Sequence, residues 1–121
     1  QQEVKMAVNI RTADHSDLLT QIKRGINEGK IVTWSYSTHN GRQYFTHETS
    51  DKQWKGKAWF LPSFEEGVLV FNIIKPLNQN ISTVAYAVYH GRFIEMLLAH
   101  FDKSLSIAWA TAMPATGDLV N

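Results

Sequence analysis

The sequence predicts an α+β fold: a five-stranded, mainly antiparallel sheet with two helices on one face, in the order α-β-β-β-β-α-β. Three observations carry this expectation. Apolar residues recur at helical spacing over Asp14–Glu28 and Ser82–Asp102. Strand-like alternation runs through Ile31–Ser37, Gln43–Thr49, Lys57–Phe64, Val68–Ile74 and Leu105–Met113. Two junctions, around Asn40-Gly41 and Glu65-Glu66-Gly67, carry the residue types of tight hairpin turns. A length of 121 residues suits one domain with one core.

Residues 1–8 are expected to lie outside the fold, disordered or an extraneous remnant with Met6 as the natural start; the alternative is a fragment of a longer chain. In the first helix Leu18, Leu19, Ile22 and Ile26 form the apolar stripe. Asp14 or Ser16 can cap its start, and Gly29 suits its end. Gly25 lies at the edge of the stripe, where a missing side chain permits close packing. In the first hairpin the Asn40-Gly41 turn sets Trp34 opposite His47 and Tyr36 opposite Phe45. Val32, Trp34, Tyr36, Phe45 and His47 then share a core-like face, and Thr33, Ser35, Ser37, Tyr44 and Thr46 a wet one.

Residues 50–56 read as a turn from which Trp54 packs back onto the sheet edge. A three-residue loop with Gly67 left-handed is expected for the second hairpin. It places Trp59, Leu61, Leu69, Phe71 and Ile73 on one face, and Ala58, Phe60, Pro62, Val70, Asn72 and Ile74 on the other. Asn80 or Ser82 can cap the long helix, whose apolar face centres on His90 among Tyr86, Phe93, Ile94, Leu97, Leu98 and Phe101. The last strand alternates large and small residues, so its Ser106, Ala108, Ala110, Ala112 side admits a helix or another chain. Residues 115–121 are expected to be a frayed tail of the single domain.

Composition narrows the function. Lys and Arg number 12 against 11 Asp and Glu, so no strong overall field recruits nucleic acid or an acidic membrane. Zero cysteines exclude disulfides, a thiolate nucleophile and Cys-ligated metal sites, and are compatible with the expected cytoplasmic location. No apolar run approaches a membrane span, so a soluble protein is expected.

Candidate chemistry centres on His90. An imidazole on an apolar face needs a hydrogen-bond partner, for which a backbone carbonyl, a Tyr hydroxyl or Asn72 are candidates. The first reading is a satisfied core histidine; lining a ligand pocket and general acid–base catalysis follow. His90, Glu95 and His100 point about 140° and 80° apart on a helical wheel, unlike metal ligands at i, i+3 or i+4. His47 beside Trp34 reads as an ordinary cross-strand pair, since Glu48 faces the other way. Nothing supplies a nucleophile elbow, a phosphate-binding glycine loop or a carboxylate pair on one strand, which leans against an enzyme. No cofactor or metal is expected.

The expected role is therefore that of a non-catalytic domain, a homodimer or other homo-oligomer, binding a partner protein or small apolar ligand through an aromatic sheet face. Four Trp, four Tyr and six Phe supply the anchors. The candidate contact residues are His90, Tyr86, Trp34, Tyr36, His47, Trp59, Phe71 and Trp109. One alternative is a small hydrolase or isomerase using His90 in a helix–sheet pocket. A second is single-stranded nucleic-acid binding through Lys52, Trp54, Lys55, Lys57 and Trp59, although acidic neighbours make that partner unlikely.

Overall fold

The computed structural model describes residues 7–48, 53–77 and 79–110. Along the chain run β1 (Val8–Arg11), α1 (His15–Asn27), β2 (Trp34–His39), β3 (Arg42–His47), β4 (Trp59–Glu65), β5 (Val68–Ile74), α2 (Thr83–Phe101) and β6 (Ile107–Ala110). The strands form one sheet in the order β2-β3-β4-β5-β1-β6, and every neighbouring pair is antiparallel.

Local signals explain most boundaries. Asp14 caps α1 by accepting from the Asp17 backbone N–H at 3.0 Å, and Ser82 caps α2 by accepting from Ala85 at 3.1 Å. The β2–β3 turn has φ of 52° at Asn40 and 77° at Gly41, the paired positive values of a two-residue hairpin loop. Its register is the expected one, with Trp34 opposite His47 and Tyr36 opposite Phe45. Gly25 is a packing glycine: a Cβ there would sit 2.7 Å from Ile31 Cδ1 as the chain turns back under α1. Ile31 and Val32 precede β2, and Ile31 is buried while Val32 stands 71% exposed.

Three features depart from the sequence expectation. The sheet has a sixth strand, β1, inserted between β5 and β6. Ala7 and Val8, assigned above to a stretch outside the fold, are fully buried. The second hairpin has a two-residue loop, because Glu65 pairs with Val68. One residue fewer in the turn reverses the parity of the pairing. Phe60 therefore lies opposite Ile73 and shares a face with Phe71, whereas Trp59 lies opposite Ile74 on the other face. The third departure is on α2, whose buried residues are Ala85, Tyr89, His90, Phe93, Met96 and Leu97. At about 100° per residue this arc centres near Phe93, so His90 lies toward its edge.

Both helices cover the same face of the sheet. Leu18 and Ile22 of α1 and Tyr89, Phe93 and Leu97 of α2 join Val8, Ile10, Trp34, Phe45, Phe60, Leu69, Phe71 and Ile73 in one core cluster. Edge-to-face contacts lock it: Trp34 stands at 88° to Phe93 with centroids 4.9 Å apart, and at 86° to Tyr89 at 5.6 Å. The small side of β6 faces this helix layer, with Ala108 packed on the core, so of the two occupants expected there the helix is the one found. The expected strand extension through Met113 and the tail at 115–121 lie outside the described residues.

Candidate functional site

The eight candidate contact residues divide between the two faces of the sheet. Trp34, Tyr36, His47 and Phe71 project toward the helices, where Tyr86 and His90 meet them from α2. Trp59 and Trp109 project the other way. No single site unites them.

Four of the helix-facing group are closed off, while Tyr36 and Tyr86 are half-buried at its margin. Trp34 is 2% exposed, Phe71 0%, and His47 and His90 3% each. His90 stacks on Tyr86 with centroids 3.9 Å apart, and Phe60 meets it edge-on at 5.3 Å. Its Nδ1–H donates to the Tyr86 carbonyl one turn earlier at 2.7 Å. A carbonyl only accepts, so this bond fixes the proton on Nδ1 and leaves Nε2 as a lone pair. That atom is buried with no hydrogen-bond partner among the described residues. Burial pushes the His90 pKa down to about 4, against the opposing pull of the Tyr86 bond. The ring is neutral at pH 7. As a catalytic base it is poorly matched to neutral pH and shielded from solvent.

A polar knot lies beside it that the sequence did not reveal. The Tyr89 hydroxyl donates to the Trp54 carbonyl and lies 3.0 Å from Thr46 Oγ1. Thr46 Oγ1 in turn donates to the Ala58 carbonyl at 2.9 Å and accepts from the Gly56 backbone N–H at 3.0 Å. Thr46, expected on the wet face, is therefore 1% exposed. Phe45 pairs in register with Phe60 where β3 meets β4. The knot adds to that junction, tying α2 and the 54–58 turn to β3. Its signal in the sequence is faint, since Tyr89 is one of several aromatics on a helix apolar around much of its circumference.

The outer face has a different character. By register it carries Arg11, Ile107 and Val68 in one row, Trp109, Asn9, Val70 and Ser63 in the next, then Asn72 and Leu61, then Ile74 and Trp59. Its centre is closed: Asn9 is 1% exposed, Val70 3% and Asn72 7%. Asn9 donates to the Ala7 carbonyl at 3.0 Å, and Ser63 donates to Asn72 Oδ1 at 3.2 Å. The flanks are open to water, with Trp59, Leu61 and Trp109 half-buried and Ile107 52% exposed. Arg11, Ser106, Ile107 and Trp109 line a shallow cleft of about 450 Å³ there. A second cleft, of about 380 Å³, lies between α1 and the end of α2 and is lined by charged and polar side chains including Asp17, Arg24, Lys30 and His100. His90 lines neither.

In the Lys52–Lys57 cluster the described side chains are partly engaged within the fold. Trp54 packs its ring against the core, and Lys55 pairs with Glu48 at 3.1 Å. Lys52 lies outside the described residues. Among the described residues no group of three or more His, Asp or Glu side chains could hold a metal ion, and no helix is long and apolar enough to cross a membrane. The chain matches no family model, no curated protein and no solved structure.

Proposed function

We propose that this chain is a non-catalytic, self-associating domain that binds a partner protein or a small apolar ligand through the outer face of its sheet. The observation that supports it most is the position of Trp59, Leu61, Trp109 and Ile107 on the side away from both helices, the last two lining a shallow cleft with Ser106 and one cationic residue, Arg11. Large aromatic and aliphatic groups left partly in water are the usual anchors of an interface. The helix-facing aromatics, sealed in the core, are not part of this surface. A cysteine-free composition supports placing the domain in the cytoplasm.

The test is binding of an apolar fluorescent dye, compared between the native chain and a Trp59→Ser/Trp109→Ser variant. Dye binding that falls at least severalfold in the variant, with an unchanged far-UV spectrum, is the expected result. Dye binding that is absent from the native chain, or indifferent to both substitutions, removes the outer face from consideration.

A further inference from the structure

The helix α2 is apolar on two sides, and only one of them is used by the fold. Away from the core run Val84, Ala87, Gly91 and Leu98, with Ile94 at the margin, partly packed against the core, and exposed Glu95 on the other flank. Val84, Ala87, Gly91, Ile94 and Leu98 are separated by three, four, three and four residues, the spacing of a seam that meets another helix. Val84 is 60% exposed and Leu98 54%, Ala87 and Gly91 are exposed, and Ile94 is half-buried.

Two oddities of α2 fall on the same surface. Gly91 sits mid-helix, where glycine destabilises relative to alanine, yet a Cβ there would meet nothing within 4 Å and its φ is not positive. Gly25, by contrast, leaves room for the Ile31 side chain, whose Cδ1 would lie 2.7 Å from a Cβ there. The charges of α2 are also misplaced for an isolated helix. Its first turn has no acidic residue, while its C-cap is Asp102, a carboxylate at the negative end of the dipole between His100 and Lys103.

We propose that a second copy of this chain docks here, α2 against α2, antiparallel, with Gly91 on the two-fold axis. This names the surface for the self-association proposed above and rests on that reading. The two-fold pairs residues whose numbers sum to 182. Val84 then meets Leu98 of the second copy, and Ile94 packs over the hollow left by Ala87 and Gly91. Asp102 lies about 16 Å from the axis and Ser82 about 14 Å. The pairing brings the carboxylate of one copy beside the free N–H groups at the start of the other copy's α2, where a negative charge is favoured. The apolar seam and the Asp102 pairing are thus self-complementary, as a two-fold interface must be, with Arg92 and Glu95, ion-paired at 3.5 Å, on its flank.

The chain has no cysteine, so a crosslink reports the geometry directly. Helix axes about 10 Å apart, less two Cα radii of about 2.3 Å, leave facing Cα atoms about 5.4 Å apart, the separation a disulfide spans. Gly91→Cys should form a covalent dimer under mild oxidation, whereas Glu95→Cys, displaced about 12 Å along the axis from its mate, should not. In sedimentation equilibrium Leu98→Arg should weaken the dimer at least tenfold and Asp102→Asn severalfold, with far-UV spectra unchanged. A native chain that stays monomeric at millimolar concentration overturns the proposal and the self-association reading together. A dimer that is unaffected by Leu98→Arg and crosslinks no better through Gly91→Cys than through Glu95→Cys overturns this surface alone.

Discussion

Replacing His90 by phenylalanine separates its ionisation from its packing, since a phenyl ring keeps the contacts with Tyr86 and Phe60 but cannot bind a proton. In the native chain burial holds the imidazole pKa near 4, against 6.5 when unfolded. Above pH 6.5 the ring is neutral in both states and contributes no pH dependence. As pH falls from 6.5 to 4 the unfolded chain binds a proton that the folded chain refuses, so stability is lost across that window. At 1.36 kcal/mol per pH unit the loss amounts to about 3 kcal/mol, a large part of the stability of a small domain. Urea unfolding of both proteins from pH 7.5 to 4 measures it. The difference in unfolding free energy between native chain and His90→Phe should be flat above pH 7 and should turn against the native chain by about 1.4 kcal/mol per unit below pH 6. Subtraction removes the contributions of the other titrating groups. Parallel curves down to pH 4 would refute a buried, neutral His90.

Other expectations follow from the packing. Tyr89→Phe removes the hydroxyl shared by Thr46 and the Trp54 carbonyl, and should cost about 1–3 kcal/mol in urea unfolding by stranding buried polar groups. Hydrogen exchange at the Gly56 amide, which donates to Thr46, should accelerate in the same variant. Gly25→Ala should lower stability by about 1–3 kcal/mol through the collision with Ile31, and Ile31→Val should recover most of that loss in the double variant. Gly41→Val, at φ of 77°, should destabilise the β2–β3 hairpin and lower the melting temperature, whereas a polar substitution at exposed Thr38 should be close to neutral.

Legibility in the sequence followed the locality of the signal. Asn40-Gly41 fixes its turn through the backbone freedom of two adjacent residues, so the β2–β3 register was readable to the residue. Glu65-Glu66-Gly67 admits a two- or a three-residue loop, and only pairing across β4 and β5 decides between them. That one residue moved Phe60 into the core and Trp59 out of it. β1 offers four residues, VNIR, whose apolar–polar alternation is too short to stand out alone, and its place between β5 and β6 makes it a strand. On α2 the apolar residues extend around most of the circumference, so the wheel could not say whether His90 or Phe93 marks the centre of the buried arc. Of the partners expected for His90, the backbone carbonyl is the one found, while the Tyr89–Thr46 knot needed the three-dimensional approach of β3 and α2.

The division of the sheet into a sealed aromatic face and an outer face with open flanks is the claim on which the functional reading stands. Acrylamide quenching of variants that each keep one tryptophan tests it most directly. Trp59 and Trp109 should be quenched readily and Trp34, 2% exposed, hardly at all. Quenching of Trp34 as efficient as that of Trp59 would mean that the helix-covered face is open, and would contradict the account.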